Sequence, residues 1–147
     1  MNDLGRRLAR LPVRWNAIWK DGDTTTHAGP VHVSMNDYLI HRLRDIPRVA
    51  NKGLHLRRQW PETDGALGLW FAGLSGGRRQ ISVSVWCSAT DLRAFVRSPA
   101  HLRIMREHRA TGLLHTTAWT SERLDRAAIW HEAVDRLRGR VAGVPHH

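Results

Sequence analysis

The chain alternates between stretches where apolar residues recur every second position and stretches where they recur every third or fourth. Residues 81–87 are the clearest case of the first kind. Ile81, Val83, Val85 and Cys87 share one face, and Ser82, Ser84 and Trp86 share the other, the pattern of a sheet strand with chemically distinct sides. Val31 to Ile40 sets Val31, Val33, Met35 and Leu39 against His32, Ser34, Asn36 and Tyr38. Ala66 to Leu74 sets Leu67, Leu69 and Phe71 against Gly68, Trp70 and Ala72, and Leu113 to Trp119 sets His115, Thr117 and Trp119 against Leu114, Thr116 and Ala118.

Helical spacing fills the intervals. A first helix starts at Asp45-Ile-Pro47, proline being tolerated in the first turn. Its apolar stripe is Ile46, Val49, Ala50, Gly53 and Leu54, and it closes at Trp60-Pro61, because the residue before proline avoids helical geometry. Ser88-Ala-Thr-Asp91 is a capping box for a second helical stretch carrying Leu92, Phe95 and Val96. Ser98-Pro99 restarts it, with proline at the first helical position behind a serine cap, and Leu102 and Met105 continue the apolar side. A last helix, capped by Thr120 or Ser121, runs to about Arg138 with Leu124, Ala127, Ala128, Val134 and Leu137 facing inward.

The order strand, helix, strand, strand, helix, strand predicts a ferredoxin-like sheet with its helices on one side. Ser75-Gly-Gly-Arg-Arg79 supplies the hairpin connection. The opposite sheet face needs cover, and a second copy is the usual source, an isologous pair closing into a barrel. The expected fold class is therefore α+β, a ferredoxin-like βαββαβ unit with N- and C-terminal extensions in a dimeric α/β barrel. Residues 1–30 form the N-terminal extension, with a short basic helix (Leu4, Leu8, Leu11) and a candidate edge strand at Val13–Trp19. Residues 31–120 form the barrel domain, and 121–147 form the last helix and tail.

Charge changes this picture less than its size suggests. The chain has 147 residues, one domain's worth, with 23 Lys+Arg against 13 Asp+Glu, a formal charge of +10. Such a balance suits nucleic acid or an anionic surface. The arginines are scattered through every segment, however, and no nucleic-acid recognition signature is present, so neither nucleic acid nor membrane is expected as a partner. The single cysteine, Cys87, excludes an internal disulfide and reads as a buried thiol on an apolar strand face. No stretch approaches the roughly 18 apolar residues of a membrane span, and no apolar signal region follows the arginine-rich start. A soluble, cytoplasmic protein is expected.

Several motifs taken together carry a resemblance. They are Pro47 opening the first helix, His55-Leu-Arg-Arg-Gln59, Gly65-Ala-Leu-Gly68, Ser82-Val-Ser-Val-Trp86, Asp91-Leu-Arg-Ala-Phe95 and Ser98-Pro-Ala-His101 followed by Met105-Arg106. Over about residues 31–120 the chain resembles the dimeric α/β-barrel superfamily, within it the antibiotic biosynthesis monooxygenase group, and particularly a branch related to spheroidene monooxygenase. That resemblance implies a homodimer with a small-molecule cavity between sheet and helices. It also implies an activity drawn from cofactor-independent oxygenases, haem-handling proteins, dehydratases and isomerases.

In such a cavity Trp86, Trp70 and Asn36 would pair flat aromatic walls with one amide, suiting a planar, partly apolar substrate. The alternative for both tryptophans is plain core packing. His101 is the candidate catalytic residue. In the first turn of a helix the exposed amides disfavour imidazolium, as does partial burial, and a neutral imidazole at pH 7 can take and return a proton. Its alternative role is to cap local backbone. Arg97 is a candidate for holding a substrate anion, with the solvated surface as its alternative. His108 lies seven residues beyond His101 on a similar face, too far for both to grip one metal easily.

No dinucleotide or P-loop fingerprint, zinc-protease motif or nucleophile elbow is present. The expected cofactor is none, with haem left open by ten histidines that offer axial ligands. Three readings follow. The first is an enzyme of antibiotic-type metabolism acting on an aromatic or polyene-like intermediate, monooxygenase-like or an acid–base cyclase, isomerase or dehydratase, with His101 as general base and acid. The second is a haem-binding protein or haem-dependent oxygenase. The third is a non-catalytic ligand-binding module.

Overall fold

The computed structural model describes residues 19–74 and 78–142. The short basic helix at 4–11, the candidate edge strand apart from Trp19, the tip of the hairpin at 75–77 and the end of the tail lie outside the described residues. Four strands alternate with helices in the expected order: β2 (Val31–Ile40), β3 (Ala66–Leu74), β4 (Arg79–Trp86) and β5 (Gly112–Ser121). A two-residue β1 (Lys20–Asp21) is added at one edge. All neighbours are antiparallel in the order β1-β3-β4-β2-β5, which is the ferredoxin-like arrangement read from the sequence.

The helix starts follow their local chemistry. In α1 (Ile46–Gln59) Pro47 sits in the first turn, where its missing N–H costs nothing. In α2 (Ala89–Val96) the Ser88 hydroxyl accepts the Asp91 N–H at 3.2 Å. In α3 (Pro99–Arg109) the Ser98 hydroxyl accepts the His101 N–H at 3.3 Å, so the cap that starts the helix also fixes where His101 stands. The last helix, α4 (Arg126–Ala142), begins later than expected. Thr120 and Ser121 are still in the sheet, paired with His32 and Val31, and the cap is Asp125, whose carboxylate accepts the Ala128 N–H at 3.1 Å.

Helices α1 to α3 lie over one sheet face, where Trp60, Leu69 and Trp86 are buried with Leu56, Leu92 and Phe95 around them. The other face carries the largest cluster, Val31, Val33, Met35, Trp70, Ile81, Val83 and Val85 of the sheet against Ile129, Trp130, Ala133 and Leu137 of α4. This corrects one expectation. The inward stripe of α4 is Ile129, Trp130, Ala133 and Leu137, while Ala127 and Ala128 are exposed. Part of the sheet face assigned to a second copy is covered by the chain's own last helix, while β5 remains largely exposed.

A buried ion-pair cluster pins α4 in place. Asp37, 3% exposed, accepts Arg79 Nη1 at 3.1 Å from β4 and Arg140 Nε at 3.2 Å from α4. Removing one member of a buried pair strands the others. The two guanidinium groups retain some access to water, which softens the loss. Asp37→Ala is expected to lower unfolding free energy by about 2–3 kcal/mol, measured by urea denaturation, with Arg140→Ala costing less because Arg79 still neutralises the carboxylate.

Candidate active site

The hollow between α1, α3 and the sheet arises from one small residue and one alternation. Gly53 of α1 faces the Phe71 ring so closely that a Cβ there would stand 2.2 Å from Phe71 Cζ, and glycine lets the helix settle onto β3 at that point. Asn36 and Tyr38 of β2 and Ser82 of β4 share the helix-covered face by strand alternation. His101, Ile104, Met105 and His108 come from the inner side of α3, and Val49, Lys52 and Leu56 from α1. They enclose about 100 Å³ with an opening to solvent. Clefts for drug-sized ligands run to roughly 300–1,000 Å³, so the hollow takes one ring, with any remainder of the molecule outside the mouth.

Two imidazoles stand in its wall. His101 is half-buried, with Nδ1 fully enclosed and without a hydrogen-bond partner among the described residues; His108 Nε2 is in the same condition. Burial holds the His101 pKa below the usual 6.5, with the Val96 backbone opposing it in part. Burial also lowers His108, and the charges of Lys52 and His101 add to the effect. Both rings are therefore neutral at pH 7, each with one nitrogen lone pair and one N–H. Unpaired buried polar atoms are costly in a folded protein, and both rings that carry them stand in the wall of the hollow.

The remaining polar groups are tied down. Thr116 Oγ1 donates to Asn36 Oδ1 at 2.8 Å, and Asn36 Nδ2 donates to Ser82 Oγ at 3.3 Å, which fixes the amide against the wall. The Tyr38 hydroxyl donates to the His108 carbonyl at 2.7 Å and touches the Thr111 hydroxyl. Burial pushes its pKa up, the Thr111 hydrogen bond opposes this and Asp45 adds to the rise, so the phenol stays protonated. Across the mouth, Lys52 of α1 pairs with Glu107 of α3.

Two of the five residues singled out from the sequence, His101 and Asn36, line the hollow; the other three stand elsewhere. Trp86 is fully buried, its ring 5.0 Å from Trp60 and 5.2 Å from Phe95, and Phe95 in turn lies 4.9 Å from the His101 ring. It supports the residue that supports His101. Trp70 is on the opposite sheet face, 4.5 Å from Trp19 and 5.3 Å from Trp130 of α4. Its cross-strand partner Val83 belongs to the α4-covered face, and directly opposed residues share a face. Arg97 caps the end of α2, its N–H bonded to the Arg93 carbonyl at 3.1 Å and its side chain exposed. Tyr38, Lys52 and Phe71 were missed. Of these, only Tyr38 carried a signal, its period-2 alignment with Asn36.

Among the described residues no group of three or more His, Cys, Asp or Glu is gathered as a metal site, and no helix is long and apolar enough to cross a membrane. Haem does not fit the hollow as it stands. Two histidines offer ligands, but about 100 Å³ does not accommodate a tetrapyrrole.

No protein-family model matches the sequence, and no curated protein matches it significantly. Solved structures do match in fold. SnoaB, a cofactor-independent oxygenase from Streptomyces nogalater, superposes with a TM-score of 0.51 at 14% identity, over 65% of this chain and 96% of its own. A protein provisionally assigned as an antibiotic biosynthesis monooxygenase from Deinococcus radiodurans gives 0.56 at 14% identity, over 63% and 95%. A conserved protein of unknown function from Bacteroides thetaiotaomicron gives 0.54 at 9% identity, over 61% and 97%. Each is matched over nearly its whole length by under two thirds of this chain, which carries additional residues. On these matches the chain shares the ferredoxin-like fold of these proteins, the fold that its order of strands and helices predicts.

Proposed function

We propose that the protein is a small-molecule enzyme, monooxygenase-like, in which one ring of an aromatic substrate enters the hollow and gives up a proton to His101. The observation that carries this reading is the pair of neutral, incompletely hydrogen-bonded imidazoles in the wall of a mostly apolar hollow. Such a ring accepts a proton from a phenol or enol, and the apolar surroundings keep water from competing for it. Asn36, held by Thr116 and Ser82, and the protonated Tyr38 form the polar end of the site.

Deprotonation makes the substrate electron-rich. A reduced ring in that state can pass an electron to dioxygen itself, so the protein has to position, deprotonate and shield rather than supply a redox group. The name of SnoaB as a cofactor-independent oxygenase supports this branch. A cyclase, isomerase or dehydratase would use the same proton transfer without oxygen.

Oxygen uptake separates the branches. With a single-ring hydroquinone as probe, and neither flavin nor metal added, uptake is expected to exceed the spontaneous rate, to scale with protein and to survive EDTA. Incorporation of solvent deuterium into an enolisable probe without oxygen uptake would favour the proton-only branch. If neither occurs, the catalytic reading fails and ligand binding alone remains.

A further inference from the structure

Among the described residues lining the hollow, Lys52 is the only one with a formal charge once both histidines are neutral. It stands on α1 beside Gly53, one turn before Leu56, and its ammonium pairs with Glu107 on α3. The partners are unequal: the Lys52 side chain is 24% exposed and that of Glu107 50%. Arg48, one turn back on α1, adds to the positive field that Lys52 experiences.

An ammonium in that position is poorly served by water and needs an anion. Glu107 supplies one at present, but a half-exposed carboxylate returns to water at small cost. We propose that Lys52 determines specificity at this site by recognising a carboxylate on the substrate, with Glu107 as the resident counter-ion that the incoming carboxylate displaces. The ligand class is then a one-ring aromatic acid, its ring among Phe71, Met105 and Leu56 and its carboxylate at the mouth. A neutral ring must enter beside an intact Lys52–Glu107 bridge, whereas an anionic ring exchanges one charge-assisted contact for another. This rests on the hollow being the substrate site, and the test keeps the two claims apart.

The test compares 4-hydroxybenzoate with 4-hydroxybenzamide, near-isosteric probes of different charge, by calorimetric titration with the histidine ring signals followed by NMR. The full chain is expected to bind the benzoate about 10-fold more tightly, the scale of one charged hydrogen bond. Lys52→Gln should abolish the difference between the two probes, with an unchanged circular dichroism spectrum and urea midpoint certifying the fold of the variant. Glu107→Gln should tighten the benzoate a few-fold and leave the amide alone. Equal affinities in the full chain, or a preference that survives Lys52→Gln, would overturn the assignment of Lys52. Failure of both probes to move the His101 and His108 signals would overturn the placing of the substrate in the hollow, and this proposal with it.

Discussion

Truncating Trp86 to alanine is expected to remove about 3–5 kcal/mol of folding stability, the range for emptying a large aromatic site in a packed core. Against the roughly 5–15 kcal/mol of a typical domain this is a large share. The indole has no solvent exposure, sits edge-on to Trp60 at 5.0 Å, and donates Nε1–H to Ser84 Oγ at 2.9 Å. Alanine therefore leaves both a cavity walled by stiff rings and a hydroxyl deprived of its donor. The loss propagates in one direction, because Phe95 rests on Trp86 and His101 rests on Phe95. Urea unfolding measures the first effect, and the NMR line width of the His101 ring measures the second. Trp86→Phe keeps most of the volume and should spare His101. Trp70→Ala, on the α4 side of the sheet, should also destabilise strongly but leave the His101 signal where it was. A Trp86→Ala protein as stable as its parent would mean that the ring contributes only through a ligand, the role first suggested by its place on the strand.

The contrast between the two tryptophans shows how far a sequence carries. Strand alternation placed Ser82, Ser84 and Trp86 on one face and Asn36 and Tyr38 on another common face, and the register that pairs Asn36 with Ser82 makes these the same side. Trp70 fails for want of the same information. Its face follows from pairing with Val83 beyond a register shift between Ala66 and Gly68, and a bulge of that kind leaves no trace in hydrophobic periodicity. Helix starts could be read directly because Ser88, Ser98 and Pro47 act within four residues of themselves. The α4 start was misplaced because Thr120 is a good cap by composition but is held in the sheet by His32. The barrel closed by a second copy was argued from an apolar sheet face needing cover. Ile129, Trp130, Ala133 and Leu137 supply part of that cover from the same chain, which the order of strands and helices alone did not reveal. Lys52 and Phe71 were unreadable for another reason: they join His101 only through the docking of α1 and α3 across the sheet.

Replacing His101 by glutamine is expected to reduce kcat by about 10²–10⁴-fold, the usual worth of a positioned general base, with His108→Gln costing less. The pH dependence distinguishes the base from a merely well-packed ring. Burial depresses the His101 pKa below 6.5, so its active neutral form persists as pH falls past 6.5, and kcat should drop only on a more acidic limb. Stability follows with a sign that can be checked. Above 6.5 the ring is neutral whether folded or unfolded, and its contribution is fully present. Below 6.5 the unfolded chain takes up a proton that the folded protein refuses, so stability declines as pH falls towards the depressed folded value. His101→Gln should therefore lose the acidic limb of kcat together with the residual activity that defines it, and should flatten part of the acid-side fall in unfolding free energy. His108, depressed in the same way, accounts for more of that slope, and the double variant should be flatter still. An acidic limb lying at or above 6.5, or one that survives intact in His101→Gln, would assign the proton to a different group and leave His101 as packing for Phe95.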